Sequence, residues 1–566
     1  MQPSTVAPTG LAKYVPILGW LPEYPRAWLR YDLVAGLTAA AVVIPQAMAY
    51  ASLAGLPVEV GLYTALMPML VYALLGTSRP LSVSATSTIA MLTAAELARV
   101  VQSGDPYDYI IPAATLAFLV GLFLMLAGVL RLGFIANFIS IPVLTGFKAG
   151  IGVVILVGQL GKVTGLALEK GPILQTMVSL LQNLNQIHWL TLALSLITLA
   201  ILIFLPRLTK RLPAALVAVA FGILLSGLVG LEALGVALVG SVPAGLPRLT
   251  LPDLSLLRAL WPGALGIALM SFVESIAAAR AFIQRGDRTP DADHELLALG
   301  MANLGGGVTS AMPAGGGTSQ TAVNDQAGAR SQVAEMATVA VVVVTLLFLA
   351  PLISLMPQAT LGALVLVAAA GLIKLSEFRK IQEIRNLEFV WAVVAFLGVI
   401  ILGTLEGILL AVIISILALL YYAGHPPVYV VGRKPGTDVF RPVQDHPADE
   451  VFPGLLMLRT EGMMFFSSTP RALEKMTNLI REHQPQVVVL DCSAVPNFEY
   501  TALKEFSGYE DKLSTSGIKL WLAALNREAF QMIERAPLGK TLGHERMFFN
   551  LEQAVEAYLA TRDKAS

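Results

Sequence analysis

Two stretches decide the fold: Ser82-Val83-Ser84-Ala85-Thr86-Ser87-Thr88-Ile89-Ala90-Met91-Leu92, and Met312-Pro313-Ala314-Gly315-Gly316-Gly317-Thr318-Ser319-Gln320-Thr321-Ala322-Val323. Each opens with small, hydroxyl-bearing or glycine residues and turns within a few positions into a short helix-forming run. Each therefore reads as a broken membrane helix, an extended entry leading into a half-helix. The plainer reading is two polar loops between ordinary helices. Transporters with inverted repeats build their sites from half-helices in corresponding positions of two halves. Here the Pro45-Gln46 segment precedes Thr86 by about 40 residues and Glu274 precedes Ser319 by 45, which favours the half-helix reading.

Composition supports a membrane setting. The chain has 566 residues, of which 56% are hydrophobic and 13% charged, against roughly 25% charged in an average soluble domain. Of its 76 charged residues, 34 lie in residues 428–566, so a membrane-embedded part precedes a soluble tail. Uncharged runs lie between Asp32 and Glu59, Asp108 and Arg131, Lys170 and Arg207, Arg211 and Glu232, Glu335 and Lys374, and Glu406 and Arg433. With segments holding one or two charges, they provide about 12–14 crossings at about 20 residues each. Basic residues cluster at Lys13/Arg26/Arg30, Arg131, Arg207/Lys210/Arg211, Arg285/Arg288 and Arg379/Lys380/Arg385, each pair of clusters separated by an even number of crossings. That pattern puts them, and both termini, on the cytoplasmic side of the inner (plasma) membrane. No secretory signal peptide is expected. A net charge of zero argues against a nucleic-acid partner, and one cysteine (Cys492) with six scattered histidines argues against a metal site.

The resemblance then becomes specific. Gly36-Leu37-Thr38-Ala39-Ala40, Ile44-Pro45-Gln46-Ala47-Met48-Ala49-Tyr50, Ala54-Gly55-Leu56-Pro57 and Gly61-Leu62-Tyr63 are similar to the signature of the SulP anion-transporter family. Asn303 to Arg330 resembles its second conserved block, and the tail resembles a STAS domain. The resemblance implies an α-helical membrane protein of two inverted seven-helix repeats, about 14 transmembrane segments in a core group and a gate group, followed by a cytoplasmic α/β STAS domain. Expected boundaries are an N-terminal segment at 1–30, a transporter domain at 31–425 (repeats about 31–232 and 258–425), a linker at 426–453 and the STAS domain at 454–562. The family is usually dimeric, so a homodimer is expected.

The resemblance also implies a small inorganic anion between two half-helix N-termini. Carried over by position, Ser84, Ala85, Thr86 and Ser87 start the first half-helix and Gly317, Thr318 and Ser319 the second; Gln46 and Gln320 complete the substrate-binding candidates. The chemistry agrees. A helix N-terminus carries roughly half a positive charge and several N–H groups without intrahelical partners, and hydroxyls add donors. Against this, the hydroxyls of these residues are equally suited to capping their own helices. Many relatives carry Arg directly after the serine matching Ser319, where this chain has Gln320. Gln donates hydrogen bonds but cannot neutralise a dianion, so a fixed cation is either missing or supplied elsewhere.

Glu274 shares one helix face with Ser271, Ser275 and Ala278, at i, i+3, i+4 and i+7. An intramembrane carboxylate is a functional candidate by default, and Glu274 is the candidate for ion coupling: protonation lets the anion bind and both leave together. Cyanobacterial bicarbonate relatives have an acidic residue here that helps bind Na⁺, so H⁺ or Na⁺ fits the position. Lys148 is expected to snorkel to the lipid interface. Asp325 and Arg330 are expected to pair locally, and Asp291-Ala292-Asp293-His294-Glu295 to form a solvated turn and helix start.

In the tail, Leu455–Arg459, Met463–Phe466, Val487–Asp491 and Ile518–Ala524 read as strands, and Ser468-Thr469-Pro470 as a helix start. Bacterial STAS regulators carry a phosphorylatable Ser after an Asp where this chain has Glu499 and Tyr500, so that modification is unsupported. The sequence thus reads as a secondary active transporter, proton-coupled sulfate uptake first. Bicarbonate or dicarboxylate transport, anion exchange, nucleobase transport and non-transporting anion binding are the alternatives. No nucleophile–base pair indicates an enzyme, and no cofactor is expected.

Overall fold

The computed structural model describes residues 15–101, 105–138, 140–168, 173–209, 212–283 and 289–563. Lys13, Lys210, Arg211, Arg285 and Arg288, used above to orient the chain, and Lys170, which bounds one uncharged run, lie outside them. The chain divides into Met1–Ser415 and Ile416–Ser566.

Among the described residues, nineteen α-helices begin before the boundary at Ser415, and fourteen of them, the last running past it to Ala423, carry the packing described below. The first seven are α1 (Arg26–Leu53), α2 (Val58–Leu75), α3 (Ser87–Val100), α4 (Ile110–Val129), α5 (Ile141–Gly158), α6 (Trp189–Leu208) and α7 (Ala214–Val229). The second seven are α8 (Leu257–Ala281), α9 (Ala292–Gly307), α10 (Thr318–Gln326), α11 (Val333–Val344), α12 (Gln358–Ala370), α13 (Asn386–Leu402) and α14 (Thr404–Ala423). By length and composition, eight helical spans among the described residues are long and apolar enough to cross a membrane. Shorter apolar helices include Ile173–Gln182, α7, α13 and the Leu409–Ala423 part of α14.

Packing relates five of the first seven helices, α1, α2, α4, α5 and α6, to those seven places later. The α1–α11 contact recurs as α8–α4, α2–α11 as α9–α4, and α5–α13 as α12–α6. One group gathers α1, α2, α4, α8, α9 and α11; another gathers α5, α6, α12 and α13. Helices in lipid gain no hydrophobic advantage from touching one another, so close contact relies on small residues. At the α4–α9 crossing, a methyl on Gly121 would sit 2.6 Å from the Leu304 backbone nitrogen, and one on Gly300 2.8 Å from the Met125 nitrogen.

The extended entries become β1 (Val83–Ser84) and β2 (Gly315–Gly316), which pair antiparallel as Val83↔Gly316 and Ser84↔Gly315. The two half-helices, α3 and α10, are thus entered by chains running in opposite directions, as an inverted repeat requires. Buried side chains fix these entries. Asn324 Nδ2 donates to the Pro80 carbonyl (3.1 Å) and to Glu335 Oε1 (2.8 Å), and Gln332 Nε2 donates to the carbonyls of Ser78, Arg79 and Leu81. Asn303 exchanges two bonds with the Ala314 backbone.

Asp291 caps α9 by accepting from the Asp293 and His294 amides, as the helix-start reading requires. Glu295, however, is buried rather than solvated: it accepts from the Tyr72 hydroxyl (2.8 Å), the Thr77 amide (3.0 Å) and the Thr77 hydroxyl.

The soluble unit holds a six-stranded sheet in the order β4-β3-β5-β6-β7-β8. The strands are β3 (Val428–Arg433), β4 (Phe440–Pro442), β5 (Leu455–Glu461), β6 (Val487–Ala494), β7 (Lys519–Ala523) and β8 (Met547–Phe548), with β5 to β8 parallel. The stretch expected as a linker carries β3 and β4. Met463–Phe466, expected as a strand, makes only a bridge from Met464 to Phe498. Arg441 hydrogen-bonds both oxygens of Asp449 at 2.6 and 2.8 Å, which holds that carboxyl below its usual range.

Candidate functional site

Both half-helices open onto one cavity of about 80 Å³, several times the roughly 10–15 Å³ that one water needs on this measure. Its walls come from α1 (Gln46, Tyr50), the first half-helix (Ala85 to Thr88), α5 (Lys148), α8 (Glu274) and the second half-helix (Gly316 to Gln320). Of the residues expected at a substrate site, Gln46, Ala85, Thr86, Ser87, Gly317, Thr318, Ser319 and Gln320 lie on this wall, and the ion-coupling candidate Glu274 joins them. Ser84 does not line it. Its hydroxyl is buried and donates to Gln320 Oε1 at 2.6 Å.

The two helix starts differ. Thr86 caps α3 by accepting from the Ile89 amide (3.3 Å), while its hydroxyl proton faces Glu274 Oε2 at 3.4 Å. Thr88 donates to Glu274 Oε1 at 3.0 Å. The first half-helix is therefore already supplied with a carboxylate and a side-chain cap. At α10 the N-cap is Gly317, which has no side chain to cap with, and Thr318 and Ser319 are exposed. The first-turn N–H groups of α10 meet the cavity without such a cap, so the second half-helix presents the stronger anion-binding geometry.

Serines on the Glu274 face hold this second start in place. Ser275 accepts from the Gly316 amide at 2.6 Å, and Ser271 donates to the Ala314 carbonyl at 2.7 Å. Gly316 permits the approach: a methyl there would lie 2.8 Å from the Ser275 Cα. Gln320 spends its carbonyl on Ser84 and an N–H on the Ala85 carbonyl (3.2 Å), tying the second half-helix to the entry of the first. Gln46 Oε1 is buried with no hydrogen-bond partner among the described residues.

Lys148, too, lies elsewhere than the sequence suggests. Instead of reaching the lipid interface, its Nζ lies 3.2 Å from Glu274 Oε1, with the lysine side chain 26% exposed and the glutamate 7%. The cation missing after Ser319 therefore has a counterpart on α5. Asp325 and Arg330 stay off the cavity wall; the Arg330 amide donates to Asp32, and its guanidinium stacks on Tyr31.

In the soluble unit a second cavity opens at the carboxyl ends of the parallel strands, beside Arg459, Asp491, Ser493 and Glu552. There Arg459 and Asp491 bond each other at 2.6 Å. Glu499 accepts from the Phe466 amide, and Tyr500 is exposed.

Residues 29–395 match the sulfate permease family and residues 446–554 the STAS domain. Over 550 residues, 95% of this chain and 98% of the relative, the sequence is 37% identical to a probable sulfate transporter of Mycobacterium tuberculosis. It is 30% identical to Sulfate transporter 3.1 of Arabidopsis thaliana, across 97% of this chain and 87% of that one. Among solved structures, the murine Solute Carrier 26 family member A9 anion transporter in its inward-facing state superposes with a TM-score of 0.89 at 22% identity, over 99% of this chain and 96% of that one. That likeness is one of fold. The transmembrane domain of the cyanobacterial bicarbonate transporter BicA superposes at 0.60 with 25% identity, over 69% of this chain and 98% of that one.

Proposed function

The chain belongs to the sulfate permease family, and from that premise we propose that it takes up sulfate together with protons, binding the anion between the two half-helix starts. It is a multi-pass membrane protein and a secondary anion transporter. The cargo, the coupling ion and the residue roles are our reading, carried by one observation: Glu274 shares a cavity with the uncapped start of α10 and is itself held by Thr88, Thr86 and Lys148.

A carboxylate at this position occupies the positive field of the first half-helix and repels an incoming anion. A proton on Glu274 cancels its charge and frees the field for the cargo, so proton and anion arrive together and leave together. The exposed Thr318 and Ser319 supply hydroxyl donors, and the first-turn amides of α10 supply the rest. Helix dipoles and hydroxyls hold an anion without a covalent or metal bond, which suits a cargo that must also depart.

A second reading has its own support. Gln320 replaces the arginine many relatives carry, which favours a monoanion such as bicarbonate, and the oxygens of Glu274, Thr86 and Thr88 lie close enough together to receive Na⁺ instead of H⁺. We place the protein in the inner (plasma) membrane with both termini cytoplasmic, as a homodimer. The test is uptake of labelled sulfate and labelled bicarbonate into proteoliposomes under imposed proton or sodium gradients. Sulfate uptake driven by an inward proton gradient is the expected result; bicarbonate uptake driven only by sodium would replace this reading with the second.

A further inference from the structure

We propose that Lys148 is the exchangeable countercharge that fits the cavity to a doubly charged anion, doing from α5 what an arginine after Ser319 would do from the second half-helix. The proposal rests on the transport reading above and deepens it.

The charges around the cavity are few. Its titratable walls are Tyr50 from α1, Lys148 from α5 and Glu274 from α8; the half-helices contribute only hydroxyls, one amide side chain and backbone. Tyr50 is close enough to Ser87 and Glu274 to interact with both. With Glu274 ionised, the Lys148–Glu274 pair sums to zero, and two helix starts at roughly half a unit each leave about one positive charge. That balances a monoanion and leaves a dianion one charge short. With Glu274 protonated, Lys148 no longer has its partner, and the cavity holds about two positive charges. Only then does a dianion match. One proton therefore converts a monoanion site into a dianion site, and Lys148 is what makes the conversion possible.

The geometry suits such an exchange. An ammonium on a four-carbon stem is a compact charge that swings over several ångströms, unlike the rigid guanidinium fork. Its Nζ already lies 3.2 Å from Glu274 Oε1 within the cavity wall. Gln320 cannot play this part, since it is neutral and its amide is engaged by Ser84 and Ala85. Lys148 also belongs to the group of α5, α6, α12 and α13, whereas Glu274 and the neighbours of α8 belong to the other group. An anion drawn onto Lys148 thus touches both groups at once.

The test uses the full-length protein, purified and reconstituted, with two readouts: labelled flux, and the rise in melting temperature on adding sulfate or bicarbonate at acidic and neutral pH. For Lys148→Gln, the sulfate KM and the sulfate needed to raise the melting point increase about tenfold or more, while the bicarbonate values move by less than about threefold. Lys148→Arg keeps sulfate recognition. Lys148→Gln combined with Gln320→Arg recovers it, because the cation returns from the other wall. If Lys148→Gln alone is poorly folded, Lys148→Gln with Glu274→Gln removes both charges and is expected to fold yet still to discriminate against sulfate. Equal sulfate responses in wild type and Lys148→Gln, or equal losses for both anions, overturn the proposal. Absence of sulfate flux in the wild type, with the melting-point difference intact, overturns the transport reading and leaves Lys148 in its role.

Discussion

Ser84 Oγ donates to Gln320 Oε1 across 2.6 Å, so the entry strand of the first half-helix is bonded to the first turn of the second. Both groups are buried. Ser84→Ala leaves a buried amide oxygen without its partner, a loss of about 1–3 kcal/mol. The expected outcome is a lower melting temperature and weaker substrate binding together, since the same bond sets the spacing of the two helix starts. Unchanged melting temperature in Ser84→Ala would remove the bond from any positioning role.

Gly316 carries a sharper test of that spacing. A methyl there would lie 2.8 Å from the Ser275 Cα and 2.9 Å from Leu81 Cδ1, closer than a Cβ approaches backbone without something shifting. Gly316→Ala is expected to push β2 off α8, break the 2.6 Å bond from the Gly316 amide to Ser275, and cut flux by about tenfold or more. Gly158→Ala is the matched control, because nothing lies within 4 Å of its methyl. It is expected to leave flux and folding intact in the same proteoliposome assay.

These two positions also show what the sequence discloses. The half-helices are legible because a run of Ser, Thr and Gly inside an apolar segment has few other uses in lipid, where backbone groups must find partners. Lys148 is not legible. In Thr145-Gly146-Phe147-Lys148-Ala149-Gly150 a lysine reads equally well as a snorkelling side chain. What turns it inward is the packing of Gly146 and Gly150 against Ala392 and Val399 of α13, some 250 residues away. At 3.6 residues per turn, Lys148 lies about 200° from Gly146, on the face opposite α13. Glu295 is hidden for the same reason: its partners Tyr72 and Thr77 sit more than 200 positions earlier. β3 and β4 went unread because a Pro- and Gly-rich stretch becomes a sheet edge only when β5 is there to receive it.

Asp32 fastens the end of the second conserved block to α1. Its two oxygens accept from the Arg330 amide (2.6 Å), the Ser331 amide (3.1 Å), the Ser331 hydroxyl (2.7 Å) and the Tyr24 hydroxyl (2.7 Å), and it is buried. Asp32→Ala strands these donors at once and is expected to cost at least as much as one buried polar group left without its partner, about 1–3 kcal/mol. Detergent-solubilised Asp32→Ala should melt well below wild type. A melting temperature within a degree or two of wild type would show that water replaces the carboxylate at no cost.

The soluble unit offers a pH test whose sign is fixed. Hydrogen bonding to Arg441 holds the Asp449 carboxyl below its usual range, so the pair stabilises the folded state above the unfolded-chain value of about 4. That contribution is lost as pH falls through the lowered folded value. Amide hydrogen exchange over residues 428–449 should therefore show protection that declines below about pH 4 in wild type. Asp449→Asn should show less protection at neutral pH and a flatter acid limb. An identical acid limb in both proteins would mean that another carboxylate governs it.

Glu274 decides the coupling. Glutamine at this position keeps the shape and one acceptor oxygen, enough for only one of the Thr86 and Thr88 hydroxyls, which face different carboxylate oxygens at 3.4 and 3.0 Å, and it removes both the charge that Lys148 pairs with and the proton that would be carried. The variant is thus fixed in the neutral form that the transport reading assigns to the loaded state. Sulfate should still bind to Glu274→Gln, and its binding should no longer gain from the proton that the transport reading places on Glu274 in the wild type. An imposed proton gradient should fail to accelerate uptake in the variant, while exchange of internal for external sulfate persists, because a carrier that cannot shed its proton equivalent returns only when loaded. Undiminished acceleration by the gradient in Glu274→Gln would assign the coupling proton to a different group and leave the Lys148–Glu274 pair as an electrostatic fixture of the wall.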